Sequence, residues 1–243
     1  GMTANDSFKP VTKYFDRITR PEQIIQSLPQ AIQTMLDPAD TGPACLSLCQ
    51  DVQGEIFDYP EEFFKERIHN IRRPKPDDFQ IKQAMEKIKK SKKPIIISGG
   101  GVFYSDAMDE LGSFAIKHNI PVTQTVMGYS TMKRDHSHFL GPIGGLGGRA
   151  ANNLAKETDL AICVGTKLAD FTTGSWANFE NPEFKLVSIN IARHDANKHL
   201  AEAVIGDAKV CLSELSNSLG NWKSPDSWHK KSQDELKLSL IHI

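Results

Sequence analysis

From Asp77 onward the chain alternates short apolar runs with amphipathic stretches, and this alternation constrains the fold more than any other feature. Pro94-Ile95-Ile96-Ile97-Ser98, the run 120–124, Leu160-Ala161-Ile162-Cys163-Val164 and Leu186-Val187-Ser188-Ile189-Asn190 are apolar and rich in β-branched residues. Near-continuous apolar runs of this length predict strands buried on both faces. A further short strand is expected near Val204. Between the strands lie patterns of helical spacing: Ile81, Ala84, Met85 and Ile88, then Ala107, Met108, Leu111, Phe114 and Ala115, with Ser105 as the expected cap. Burial of that second set contributes roughly 7–15 kcal/mol gross, enough to hold a helix against a sheet. Asp207 is the expected cap of a last helix carrying Cys211, Leu212, Leu215 and Leu219. Strands and helices in alternation predict a parallel, doubly wound α/β sheet of Rossmann-like type.

Glycine punctuates this pattern twice. Gly99-Gly100-Gly101 follows the first strand, and Gly141-Pro142-Ile143-Gly144-Gly145-Leu146-Gly147-Gly148-Arg149 precedes a helical Ala-Ala-Asn-Asn-Leu-Ala stretch. Glycine costs backbone entropy, so such density implies positive φ angles or something that approaches the backbone closely. A glycine turn feeding a helix also points N–H donors outward, which suits a phosphate. Gly99, Gly100, Gly101, Gly144, Gly145, Gly147, Gly148, Gly165 and Thr166 therefore form a candidate nucleotide-like cleft. The loop after strand 160–164 holds Asp170, Thr172, Thr173, Ser175 and Trp176, at the edge where open α/β sheets bind ligands. These residues suit a polar ligand or a neighbouring domain, and a packed loop is the plainer reading.

The familiar reactive motifs are missing. Tyr104 stands where a dinucleotide fingerprint needs its third glycine, and Val122-Thr123-Gln124 offers no carboxylate to a ribose. No G-x-x-x-x-G-K-[ST] and no G-x-S-x-G occurs. Asp135-His136-Ser137-His138 lacks a third ligand at a supporting spacing and reads as a polar loop, so no metal site is expected. No pair of acids, Cys/His couple or Ser/His/Asp set can be assembled, and no catalytic residue is assigned.

A net charge of −1 supplies no field for nucleic acid or an acidic membrane. The one basic run, Lys87 to Lys93, reads as a solvated helix end. Cys45, Cys49, Cys163 and Cys211 show neither C-x-x-C nor zinc spacing, which fits a reducing cytoplasm. No apolar run is long enough to span a bilayer. Gly1-Met2 reads as a remnant of tag removal before a start methionine.

The first sixty residues are organised differently. A helix is expected from Pro21 to Leu36, kinked at Pro29, followed by a strand at Ala44-Cys45-Leu46-Ser47-Leu48. One helix and one strand cannot close a core, so this segment reads as the tail of a domain that begins elsewhere. The Pro-punctuated stretch from Tyr59 to Pro76 reads as a linker. Beyond Gly220 the pattern dissolves, and the chain stops inside the apolar run Leu238 to Ile243.

The order of these motifs resembles the thiamine-diphosphate-dependent enzymes of the acetolactate synthase and pyruvate oxidase superfamily. Pro10-Val11-Thr12-Lys13-Tyr14, the helix after Pro21 and Gly42-Pro43-Ala44…Gln50-Asp51-Val52-Gln53 resemble the end of its pyrimidine-binding domain. Pro76 to Leu219, closing on Ile205-Gly206-Asp207-Ala208, resembles its whole central domain, a Rossmann-like domain of the DHS-like NAD/FAD-binding type. The Val164 to Trp176 segment is most similar to the trihydroxycyclohexanedione hydrolases of myo-inositol breakdown.

The resemblance implies a division into 1–58, a remnant of the pyrimidine-binding domain; 59–76, a linker; 77–220, the central domain; and 221–243, a truncated linker. It further implies a cytoplasmic, homo-oligomeric parent that uses thiamine diphosphate and Mg²⁺ to cleave a ring C–C bond with water. The family's catalytic glutamate lies earlier than this chain begins, and its Mg²⁺–diphosphate motif lies in a later domain. Gly206-Asp207-Ala208 lacks the second glycine of that motif. The fragment is therefore expected to hold no cofactor and to be inactive alone, with the missing pyrimidine and diphosphate domains as its partners. FAD, held structurally by related acetolactate synthases, is not expected. An acetolactate-synthase-like enzyme and a stand-alone FAD- or nucleotide-binding module are the alternatives.

Overall fold

A computed structural model describes residues 3–241, so the expectations for Gly1-Met2 and for the chain's last two residues lie outside the described residues. The chain divides into two compact units, one up to Arg72 and the other from Arg73.

The first unit contains α1 (Ala4–Phe8), β1 (Tyr14–Ile18), α2 (Ile24–Leu36) and β2 (Ala44–Leu48). β1 and β2 pair in parallel, from Tyr14 opposite Ala44 to Ile18 opposite Leu48. Pro21 opens a 3-10 turn that leads into α2, where its missing N–H costs nothing. Pro29 sits inside α2, which stays helical through it. The expectation of a single strand is corrected by β1. Its central Asp16 and Arg17 hide a strand pattern, and Asp16 accepts a hydrogen bond from the Ser27 hydroxyl of α2. Ile18 of β1 and Ala31 of α2 are buried. From Tyr59 to Arg72 the only regular element is a 3-10 turn at Glu61–Phe64, where Tyr59 stacks on Phe63 at 5.7 Å and donates to the Pro21 carbonyl.

The second unit opens with α3 (Asp78–Lys90), whose cap is Asp77 accepting from the Phe79 N–H at 2.8 Å. There follow β3 (Pro94–Ser98), α4 (Gly100–Tyr104), α5 (Met108–His118), β4 (Val122–Gln124), β5 (Phe139–Pro142) and α6 (Arg149–Glu157). The chain continues through β6 (Leu160–Val164), α7 (Asp170–Thr173), β7 (Lys185–Asn190), α8 (Arg193–Ala196), β8 (Glu202–Ile205), α9 (Ala208–Leu219) and α10 (Asp226–Ile241). The six strands form one parallel sheet in the order β5-β4-β3-β6-β7-β8.

Both faces of the sheet are buried. Ile96, Leu160, Ile162 and Val164 point into a core shared with α3, α5 and α9. Ile95, Ile97, Ala161 and Cys163 point into a second core with Ala151, Leu154 and Ala155 of α6 and Trp228 of α10. Two-residue alternation between two apolar cores is why these strands read as continuous apolar runs.

Several local expectations change. Ser105 does not cap α5, because Gly100 and Gly101 wind into α4 and Ser105 closes that short helix; α5 starts after Ala107. β5 was hidden within the glycine-rich segment, since Gly141 and Pro142 occupy an edge strand whose ladder makes few demands. The expected loss of pattern beyond Gly220 is corrected by α10. Trp228 is buried and donates from its indole N–H to the Pro94 carbonyl at 2.8 Å. Glu157 at the end of α6 accepts from Lys231 of α10 and from Lys93, which holds its carboxyl below the usual range. The Asp207 cap is as expected, accepting from the N–H groups of Lys209 and Val210.

Candidate functional site at the carboxyl edge of the sheet

Successive connections run outward from β3 in one direction and from β6 in the other, so the strand order reverses between these two neighbours. Open α/β sheets hold their ligands outside the carboxyl ends at such a point. Here Gly99-Gly100-Gly101 faces Gly165-Thr166. The Gly99 N–H donates to the Val164 carbonyl at 2.8 Å, and the Gly101 N–H donates to the Gly165 carbonyl at 2.9 Å. Gly165 has φ +60°, and a Cβ there would lie 2.5 Å from the Gly101 Cα. A Cβ on Gly99 would lie 2.3 Å from the Gly165 carbonyl oxygen and 2.6 Å from the Thr166 Cβ. The close approach that the glycines require is made by the chain's own two turns. Thr166 is buried beneath them, with its carbonyl accepting from the Asn190 amide.

The second glycine run closes on itself in the same way. Gly144 has φ +100°, and a Cβ on it would meet the Phe171 carbonyl oxygen at 2.3 Å. The Gly145 N–H donates to that carbonyl at 2.8 Å, Gly147 donates to Gly144 and Gly148 to Pro142. The Asn152 amide clasps Gly144 on both sides, accepting from its N–H at 2.9 Å and donating to its carbonyl at 3.0 Å. The N–H groups of Gly144, Gly145, Gly147 and Gly148 are thus spent inside the chain.

The loop after β6 is wound tightly. Leu168, Gly174, Ser175 and Trp176 all lie at positive φ. Thr173 is buried and its hydroxyl donates to the Asp170 carbonyl; the Ser175 hydroxyl donates to the Asp170 carboxylate at 3.1 Å. Thr172 packs against Gly144. Trp176 meets His199 edge to face at 4.7 Å. Asp170, Ser175 and Trp176 are therefore brought together, while Thr172 and Thr173 serve the packing. His199, also at positive φ, was missed because no motif links positions 176 and 199.

Two of the four cysteines and one of the expected loop histidines are buried. Burial pushes the Cys163 thiol far up and the Cys211 thiol up to about 12, so neither forms a thiolate near neutrality. His138 is buried and stacked on His229 at 4.1 Å, with His136 at 5.8 Å. Burial, then the neighbouring His229 and His136, lowers its pKa to about 4. Among the described residues no group of three His, Cys, Asp or Glu is arranged to hold a metal ion. An open groove of about 1040 Å³ lies between Gln80, Ile205 and the Arg193–Lys198 segment, where Lys198 is paired with Asp195 at 2.6 Å.

The family model for the thiamine pyrophosphate enzyme central domain matches residues 81–215, the strands and helices from α3 to α9. The chain belongs to this family. As a thiamine pyrophosphate enzyme central domain with a preceding unit, it is 46% identical over 236 residues to a 3D-(3,5/4)-trihydroxycyclohexane-1,2-dione hydrolase of Clostridium perfringens strain 13, covering 97% of this chain and 36% of that protein. Proteins of the same description from Clostridium botulinum strain Alaska E43 and Bacillus cereus strain AH820 are 46% and 43% identical, each over 99% of this chain and over 37% and 38% of their own lengths. The chain thus spans little more than a third of the relatives it matches.

In this central domain the Gly206-Asp207-Ala208 segment does not fit a Mg²⁺–diphosphate group. Asp207 is buried; one carboxylate oxygen accepts from two N–H groups of α9 and the other pairs with Arg73 at 3.0 Å. With about three of its four acceptor sites so committed, this buried carboxylate is a poor ligand for a cation. No helix among the described residues is long and apolar enough to cross a membrane.

Proposed function

We propose that the chain is the middle part of a thiamine-diphosphate-dependent enzyme that hydrolyses the ring C–C bond of trihydroxycyclohexane-1,2-dione in the cytoplasmic breakdown of myo-inositol. The observation that carries this reading is the 46% identity that extends over 97% of the chain and so includes the loop after β6. Residues 1–58 are assigned to the end of the pyrimidine-binding domain, 59–76 to a linker and 77–220 to the central domain. Thiamine diphosphate and Mg²⁺ belong to the parent's other domains.

Within residues 1–243 the role is structural. Most of the N–H groups of the two glycine runs are bonded within the chain, and Cys163 and Cys211 are buried, so this part supplies shape rather than a reacting group. Asp170, Ser175 and Trp176 form the loop that faces a neighbouring domain or the substrate. FAD has no evident place at the switch point, since Gly101 and Gly165 fill it with their own backbone.

The test is a melting experiment on the 243-residue chain with thiamine diphosphate and Mg²⁺. The melting temperature is expected to stay where it is, because binding to the folded state alone would raise it. A clear concentration-dependent rise overturns the assignment of the cofactor to other domains.

A further inference from the structure

The surface of the second unit is uneven in a way the fold does not need. Of the large apolar side chains exposed there, Leu146 and Phe171 lie by the second glycine run, and Phe79, Ile116, Trp176, Leu200 and Leu238 stand on other elements. Five others form one patch on the connections that leave β3 and β4: Phe103 and Tyr104 on α4, and Val126, Met127 and Tyr129 on and beside the following 3-10 turn. Met127 is 73% exposed, Tyr104 79% and Tyr129 76%. Its centre is continuous, for the Tyr104 ring and the Met127 Cβ both lie 3.7 Å from the point a Gly100 Cβ would occupy, and the Phe103 and Tyr104 rings are 6.1 Å apart; Val126 and Tyr129 flank Met127 along the chain. No charged residue lies between Gly99 and Ser105 or between Gln124 and Met132.

The platform beneath the patch is rigid. The Thr125 hydroxyl accepts from the Gly128 N–H, the Thr131 hydroxyl donates to the Gly128 carbonyl, and the Ser98 hydroxyl joins Thr131 at 2.8 Å. Aromatic and methionine side chains fixed on such a base have the composition of the centre of a protein interface. With roughly 150–250 Å² on each aromatic side chain, the five leave on the order of 600 Å² in water, close to one side of a standard protein interface.

We propose that this patch at the carboxyl edge is the docking surface for an apolar face carried by the remainder of the parent enzyme, the part its relatives possess outside the matched region. This rests on the reading of the chain as the middle of a longer enzyme. The relatives extend well beyond the 36–38% of their length that the chain matches, which supplies the occupant. The sheet edge is already closed by its own glycine turns, so the patch covers no cleft and offers an uncharged surface to another.

The test uses methionine oxidation as a footprint. The 243-residue chain and the full product of the reading frame that contains it are exposed to dilute hydrogen peroxide, and each methionine is followed by mass spectrometry, with buried Met132 as internal reference. Met127 is expected to oxidise about tenfold more slowly in the full protein, because sulfoxide formation follows exposure. Equal rates overturn the proposal. So does a dimer of the 243-residue chain that already protects Met127, which would make a second copy the occupant. So does a reading frame that ends with these residues. A Tyr104→Lys/Met127→Lys double variant is expected to lower the melting temperature of the full protein and leave that of the 243-residue chain unchanged. No change in either also overturns it. Neither readout involves substrate, so an inactive full protein would refute the proposed hydrolysis and leave the docking surface intact.

Discussion

Gly165 shows why single residues matter at the reversal of strand order. Its φ of +60° is costly for any side chain, and a Cβ would press on the Gly101 backbone at 2.5 Å, where no flexible group can give way. A Gly165→Ala variant is expected to lose about 2–5 kcal/mol, from left-handed strain plus overpacking, measured by urea unfolding. Gly54, with nothing within 4 Å and no positive φ, is the control, and Gly54→Ala is expected to stay within about 0.5 kcal/mol of the parent. If the two variants unfold alike, the contact between the turns is not what holds the glycines. The density of glycine was plain in the sequence; that Gly99 and Gly101 would meet Gly165 was not, because the two turns lie far apart in the chain.

At the scale of elements, α10 is the clearest departure from the pattern. Its inward row, Trp228, Ser232 and Leu236, recurs at helical spacing, but the central position is a serine, so the apolar signal is broken. Ser232 is fully buried and satisfied by donating to the His229 carbonyl at 2.6 Å. Trp228 is the anchor, filling the core beside Ala161 and Cys163 and bonding the Pro94 carbonyl. A Trp228→Ala variant is expected to lose about 3–5 kcal/mol, through the cavity and the unpartnered carbonyl. Proteolysis should then cut first within 221–241. Unchanged stability would mean that α10 contributes nothing to the fold. β1 escaped notice for a related reason, since polar Asp16 and Arg17 occupy its middle and only the contact with Ser27 accounts for the aspartate. The long apolar strands were legible because each is buried on both faces and has no polar position to obscure it.

Across the whole molecule, the buried histidines set an acid limit. His138 is held neutral by its surroundings, with a pKa lowered from 6.5 to about 4, and burial likewise lowers His118 and His229. Between those two values the unfolded chain takes up a proton that the folded His138 refuses, so stability falls as pH drops through that window. The loss from His138 alone is about 2 kcal/mol at pH 5. Glu157 acts lower: its carboxyl is depressed, so its contribution persists until the pH falls below its ordinary value of 4.5. Melting curves from pH 7 to 5 are expected to shift downward, and a His138→Asn variant should flatten that slope. A slope unchanged by the substitution would place the acid sensitivity elsewhere. The sequence marked His136 and His138 as part of a polar loop, because His229 reaches His138 only when α10 lies against β5.

By itself the sequence determined the layered α/β architecture, the strand positions from β3 to β8 other than β5, the Asp207 cap and the family. Each of these rests on local periodicity or on a local motif, and such signals survive in one dimension. The tertiary structure alone decided what the glycines touch, where the last helix lies, which hydroxyls of the 170–176 loop are free and which histidines are buried. Those depend on groups far apart in the chain being brought to within a few ångströms, and no spacing along the backbone encodes that.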